Sequence, residues 1–380
     1  MEILINGRNL EGKRTGVGRY LANIIRIWSE KYQENNYKIF FKDEISSDQF
    51  INASNVESTL VTPPKSMNIG PIWENVFLPN ALRKNKTADL YFTSNYTLPV
   101  FPQRIKEIVT IFDISYIAHP EWFPKRNLAA LKMLTGPTVH RAEIILTGSE
   151  ATKKEILKYY DVDDNKIFVT NLGVEDEFLK LDLKSDDEAV NKLKLKHNIR
   201  GKIVLFVGLI MNRRNVPVLM ESLSKIIKKT GEEINLVIIG KNHSYPYFDI
   251  DEMAEKHGIK NYLRWIKYTD DEEIFNFYKA ADVFMCSSLY EGFNITPLEA
   301  MFCGAPVICS NMSSLPEVVG DAAYMIDDPR DPIEMEKAIT EVLSDKDLQS
   351  KLSERGKERA KIFSWDRCAE ETMDIFKTLT

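Results

Sequence analysis

The chain has 380 residues, of which 44% are hydrophobic and 28% charged, and its formal net charge is −6. That length exceeds what one hydrophobic core usually supports, so two domains of ordinary size are expected. No run of about 18 apolar residues occurs, and no basic stripe is interleaved with aromatics, which argues against a transmembrane span and against nucleic acid as a partner.

From the N-terminus, MEILINGRN reads as a short strand with neither a basic n-region nor a cleavage site, so an untargeted soluble protein is expected. Apolar runs at 2–6 (EILIN), 38–41 (KIFF), 107–112 (EIVTIF), 143–147 (EIILT) and 166–170 (KIFVT) alternate with helical patterns. This alternation predicts a parallel α/β domain. Gly16 and Gly18 precede a helix around Tyr20 to Trp28, but no third glycine follows at the dinucleotide-binding offset, and the loop lies about ten residues beyond the strand. A dehydrogenase is therefore not expected. The segment IWENVFLPNALRK at 72–84 fits either an interfacial membrane helix or a helix packed on the first sheet. Residues 1–160 carry a net +5 and the remainder −11. The basic half suits an anionic membrane surface or a lipid diphosphate, and equally an ordinary solvated surface.

Between Glu175 and Gly201 the pattern lapses into an acidic, lysine-rich stretch, read as a partly helical link. A second series follows at 203–208 (IVLFVG), 235–240 (NLVIIG), 262–266 (YLRWI), 283–286 (VFMC) and 306–310 (PVICS), predicting another α/β domain. Doubly wound sheets bind ligands beyond the carboxyl ends of their strands, so two such domains face to face would define a cleft. The four cysteines, Cys286, Cys303, Cys309 and Cys368, form no C-x-x-C pair and are expected as buried thiols. Asn294-Ile295-Thr296 would be a glycosylation acceptor inside the proposed site if the chain were secreted, which together with the thiols favours the cytoplasm. The triplets Asp161-Val162-Asp163 and Asp249-Ile250-Asp251 sit in a turn and in a helical pattern, not after a strand end, so no metal site is assigned to them.

The most informative stretch is LYEGFNITPLEAMFCGAPVICS, Leu289 to Ser310. Glu291-Gly292-Phe293-Asn294 reads as a polar loop, Thr296 as an N-cap, Pro297 as the first helical residue, and Glu299 as a second carboxylate in the first turn. Free amides at such a start can hold an anion without a metal ion. Taken alone, Thr296 to Glu299 is also a capping box, in which Glu299 would only reach back to the Thr296 amide.

The segment resembles the Glu-x7-Glu signature of retaining glycosyltransferases of the GT-B fold, family four, which includes bacterial polysaccharide mannosyltransferases. The likeness spans nearly the whole chain: TGVGRY (15–20), SNYTLP (94–99), FDISYIAHPEWF (112–123), LTGSEATKKEI (146–156), LFVGLIMNRRNVPVL (205–219) and SSLPEVVGDAA (313–323). It implies two Rossmann-like α/β domains facing across a cleft. The first, 1–175, would bind acceptor and receive back the final helix, 364–380; the second, 200–363, would bind the nucleotide sugar. By resemblance, Arg213 and Arg214, beyond Gly208, lie on the donor diphosphate, with Arg214 replacing the family's lysine. Glu299 accepts from the ribose hydroxyls, Glu291 sits near the donor sugar and acts in catalysis, and the amides from Gly292 through Phe293 and Asn294 to Ile295 and Thr296 cradle sugar and phosphate. Gly16 and Gly18 let the backbone approach donor phosphate and acceptor. Tyr96 and His119 are expected as acceptor or cleft residues. Asp113, after a strand, would orient or deprotonate the acceptor, or simply cap a turn. Two departures stand out: Asn294 where the family commonly has glycine, which an asparagine's tolerance of left-handed backbone makes mild, and Phe112 where it has histidine.

The expectation is a metal-independent retaining hexosyltransferase with no cofactor beyond its nucleotide-sugar co-substrate, GDP- or UDP-linked and most plausibly GDP-mannose. It would act on a glycan or lipid-linked glycan in the cytoplasm or at the inner face of the membrane. A sugar-nucleotide epimerase and a degenerate donor-binding scaffold are the alternatives.

Overall fold

The structure, a computed structural model, describes residues 1–174 and 187–379; the opening of the acidic link, 175–186, and so the expected domain end at 175, lie outside the described residues. The chain forms two compact units. The first comprises Met1–Ile114, Arg126–Gly173 and Ser364–Thr380, the second Ser115–Lys125 and Val174–Phe363.

In the first unit, β1 (Glu2–Asn6), β2 (Asn36–Phe41), β3 (Val56–Leu60), β4 (Leu90–Thr93), β5 (Lys106–Thr110), β6 (Ile144–Thr147) and β7 (Ile167–Val169) form one sheet. Its order is β3-β2-β1-β4-β5-β6-β7, and every pairing is parallel. A parallel sheet needs both faces covered, and β1 accordingly buries Ile3, Leu4 and Ile5 completely. The helix Gly16–Lys31 turns Tyr20, Leu21, Ile24, Ile25 and Trp28 inward. The final helix, Trp365–Lys377, packs against it: Trp28 Nε1 donates to the Ala369 carbonyl at 2.9 Å, and Phe376 meets the rings of Trp28 and Phe92 at 5.3 and 5.4 Å. The 72–84 segment is helical, with a wider turn at Trp73–Phe77 ahead of Pro79, and Trp73, Leu78 and Leu82 are buried. Of its two readings, this observation favours packing.

The second unit holds β8 (Lys202–Val207), β9 (Ile234–Ile239), β10 (Leu263–Ile266), β11 (Val283–Cys286), β12 (Val307–Ser310) and β13 (Tyr324–Ile326), all parallel, in the order β10-β9-β8-β11-β12-β13. The later part of the expected link is not a tether. Its helix Asp187–Lys196 packs on the helix Asp271–Ala280 within this unit, joined by His197 and Lys196 to Glu273. All four cysteines are buried and unbridged. Among the described residues no helix is long and apolar enough to cross a membrane.

Each sheet reverses its winding direction once, between β1 and β4 in the first and between β8 and β11 in the second. Ligands of open α/β sheets bind beyond the carboxyl ends of the strands at such points.

Candidate active site

At the second sheet's reversal, two loops are brought together by backbone that only glycine can adopt. Gly208 ends β8 at φ 132°, Gly240 ends β9 at φ 147°, and a Cβ on Gly240 would lie 2.0 Å from the Gly208 carbonyl oxygen. A Cβ on Gly208 would lie 2.6 Å from an Nη of Arg214. The β8 loop then makes a short turn, Asn212–Arg214, closed by Asn215 at φ 59°. It is stitched to the β11 loop by Leu289 N donating to the Arg213 carbonyl at 2.6 Å and Ser287 Oγ donating to the Arg214 carbonyl at 2.9 Å.

These bonds aim both arginines at Glu291. Arg213 Nη1 lies 2.5 Å from Glu291 Oε2, and Arg214 Nε lies 3.2 Å from Oε1 as an ion pair without hydrogen-bond geometry. Ser288 Oγ and Asn294 Nδ2 donate to Oε1 at 2.9 and 3.3 Å. Glu291 is only 3% exposed. Burial alone would push its carboxyl up, but the two guanidinium groups and the Ser288 hydroxyl outweigh that and hold it below the usual carboxylate range. The carboxylate is charged, and two cations against one anion leave the cluster with an excess positive charge.

Asn294 takes the left-handed backbone, φ 72°, that its tolerance of this region allows. The helix Thr296–Phe302 follows, and here the expected cap fails. Ile295 holds the cap position without a side-chain bond, Thr296 is already helical, and the Asn294 amide oxygen accepts from the Thr296 N–H and hydroxyl at 3.3 and 2.9 Å. Nor does the structure show Glu299 closing a capping box. It accepts from the buried Tyr278 phenol at 2.7 Å, a hydroxyl packed beside it that the local sequence could not reveal. Below the loop, Ser313 and Ser314 donate to the Glu291 carbonyl at 2.7 and 2.8 Å, fixing the backbone that carries the carboxylate.

Residues 187–359 match the family description "Glycosyl transferases group 1". The chain is 28% identical to the O-antigen chain mannosyltransferase B of Escherichia coli over the full length of both proteins. It is also 27% identical to the E. coli serotype-specific mannosyltransferase WbdA, over 63% of this chain but 29% of that longer protein. The chain is thus similar to the group 1 glycosyltransferases, by the family model over 187–359 and by a relative over its full length. Among solved structures it is similar in fold to WaaG, a glycosyltransferase involved in lipopolysaccharide biosynthesis (TM-score 0.77, 16% identity, 99% of both chains). It is likewise similar to HepE of Anabaena in complex with UDP and glucose (TM-score 0.76, 15% identity, 100% of both). The fold class is GT-B, two parallel α/β units.

The other expected site residues divide between the units. His119 packs in the second, its ring 5.6 Å from Tyr290, beside Glu291, and stacked 4.1 Å from Trp122. Gly292 and the buried Phe293, whose ring meets Phe363 at 5.6 Å, complete that loop. Gly16, Gly18, Tyr96 and Asp113 lie in the first unit. Gly18 has a packing reason: a Cβ there would lie 2.4 Å from the Asn9 carbonyl, whereas Gly16 faces open space. Asp113 is half-buried beyond β5, and Phe112 before it packs edge-on to Tyr20 at 5.0 Å. The apolar partner explains how phenylalanine is accommodated where the family has histidine. The DxD triplets are caps: Asp163 accepts from the Asn165 amide, and Asp249 from the amides of Asp251 and Glu252. Sequence reasoning missed Tyr278, Ser287 and Ser288; the serine pair directly after β11 was the available signal.

Proposed function

We propose that the chain is a retaining hexosyltransferase that transfers mannose from GDP-mannose to a hydroxyl of a glycan acceptor without a metal ion. The observation that carries this reading is the Arg213–Glu291–Arg214 cluster, built on a buried carboxylate, at the second sheet's reversal point. Its excess positive charge, held in place before any ligand arrives, suits the negative charge that builds on a departing nucleoside diphosphate. Arginine offers a planar pair of donors for phosphate oxygens, so Arg214 can serve where the family has lysine. The mannosyl donor is supported by the names of two E. coli relatives.

The bond from the sugar's anomeric carbon to the β-phosphate oxygen breaks, and the acceptor oxygen bonds that carbon on the same face. The acceptor's proton passes to the leaving phosphate. Arg213 and Arg214 stabilise the leaving group, Glu291 holds them and orients the sugar, Glu299 receives the ribose hydroxyls, and Asp113 and His119 serve the acceptor. The second unit, Ser115–Lys125 with Val174–Phe363, is the donor domain; the first, Met1–Ile114 with Arg126–Gly173 and Ser364–Thr380, is the acceptor domain.

A thermal-shift panel of GDP, UDP, ADP and dTDP tests the donor site, because a ligand that binds only the native state raises its stability with affinity. The largest rise is expected with GDP. No rise with any nucleotide, or transfer from GDP-mannose abolished by a chelator, overturns the proposal.

A further inference from the structure

The first sheet's reversal point has a cavity of its own, about 480 Å³, within the first unit. That volume is in the range of small-ligand sites. Arg8 and Asn9 enter it from the loop after β1, Asn95 and Tyr96 from the loop after β4, and Glu74 from the wide helical turn at Trp73–Phe77. Such wide turns recur at functional sites.

Glu74 is held from two sides through a single oxygen. Arg8 Nη1 donates to Oε1 at 2.6 Å and Asn95 Nδ2 donates to the same atom at 2.7 Å. Oε2 has no protein partner among the described residues, and the Glu74 side chain is 18% exposed. The arrangement is built, not incidental. Asn9 donates to Ser94 Oγ at 3.1 Å and to the Asn95 amide oxygen, and Gly70 passes so close that a Cβ there would lie 2.3 Å from an Nη of Arg8. Tyr96 occupies left-handed backbone, φ 62°, a conformation that costs a bulky residue energy and that clusters at binding sites. Pro71, Leu131 and Leu134 add apolar lining.

Charge decides the ligand class. Arg8 and Glu74 neutralise one another and the other lining residues are uncharged, so the cavity has no excess cation for a phosphate, and a free carboxylate oxygen would repel one. A lining that combines amides and a carboxylate with apolar side chains matches a pyranose, whose hydroxyls ring its edge and whose C–H faces are apolar. We infer that this cavity binds an uncharged hexose residue of the acceptor glycan, with Glu74 Oε2 accepting from its hydroxyls. The inference rests on the glycosyltransferase reading and names the acceptor that reading leaves open.

The test uses the full chain without nucleotide, and ligand-observed NMR titration with methyl α-mannoside and mannobiose against mannose 6-phosphate and pyrophosphate. Expected are binding of the neutral sugars, weaker binding of both anions, and an affinity loss of about tenfold or more in Glu74→Gln, since charge-assisted bonds to hydroxyls are lost. Gly70→Ala, which displaces Arg8, should weaken the sugars similarly and give pyrophosphate no advantage. Neutral sugars bound equally by wild type and Glu74→Gln, or anions bound more tightly than neutral sugars, would overturn the inference. The nucleotide thermal shift, read in parallel, should survive in Glu74→Gln; its absence in wild type would count against the donor site and leave the sugar result standing.

Discussion

Replacing Arg213 by alanine should destabilise the second unit through the carboxylate left behind, not through the arginine lost. Glu291 is 3% exposed and loses its 2.5 Å partner, while Arg214 at 3.2 Å and the hydroxyl of Ser288 at 2.9 Å remain. Breaking a buried ion pair from one side costs about 3–5 kcal/mol, and the surviving partners put this case near 3. The pH dependence has a definite sign. In the wild type the folded-state pKa of Glu291 is depressed, so its contribution is complete above the ordinary carboxylate pKa and is lost as pH falls through the lower folded value. In Arg213→Ala, burial dominates and the carboxyl rises, so the destabilisation should be largest at neutral pH and shrink on acidification. Urea denaturation of the single variants and of Arg213→Ala/Glu291→Gln at pH 7 and pH 4.5 provides the assay. The double variant should recover most of the loss, because no buried charge is left uncompensated. An Arg213→Ala cost that is unchanged in the Glu291→Gln background would refute the reasoning.

Glu299→Ala should weaken nucleotide binding, whereas Glu291→Ala should mainly reduce transfer; equal and negligible effects of both on titration and turnover would remove these assignments. Tyr278→Phe takes away the 2.7 Å donor to Glu299 and should cost about 1–3 kcal/mol, with nucleotide affinity falling alongside, as followed by denaturation and thermal shift. Glu273, half-buried at the foot of the helix Asp187–Lys196, offsets its partial desolvation through bonds from His197, Lys196 and Thr269, which bring its pKa from the ordinary 4.5 to about 2. Its stabilisation should therefore be intact above pH 4.5 and be lost as pH falls toward 2, and Glu273→Gln should speed hydrogen exchange in 187–196 at neutral pH; unchanged exchange there would refute its role as the helix's anchor.

The ten strands visible in the sequence were long or apolar enough to stand out; the three missed ones were not. β3 (Val56–Leu60) is an edge strand whose three central residues are all polar, and β13 (Tyr324–Ile326) has three residues. β4 (Leu90–Thr93) is the instructive miss. It has four residues, all buried, and draws its stability from β1 and β5 on either side, pairings of long sequence separation that no local window contains. Missing β4 hid the reversal point in the first sheet, and with it the setting of Tyr96. In the second unit Glu291, Arg213 and Arg214 were legible through the resemblance of their segments to a family signature, but their ion pairs were not, since 77 residues or more separate the partners. The capping box was a local pattern overruled by a tertiary partner, Tyr278, 21 residues upstream of Glu299.

Both reversal points therefore place arginine beside carboxylate, and the stoichiometry separates their chemistry. At the second, two guanidinium groups share Glu291, whose oxygens are both engaged, so the uncommitted charge is positive. At the first, one guanidinium meets Glu74, which keeps an oxygen free, so the pair is neutral overall and its uncommitted atom is an acceptor. A site of the first kind favours anions, and a site of the second kind favours hydroxyl donors while repelling anions. An enzyme that must admit a charged donor and an uncharged acceptor to different places gains specificity as much from that repulsion as from either attraction. Had Arg8 lacked its carboxylate, the first cavity would present an uncommitted cation and compete for anions with the proposed donor site.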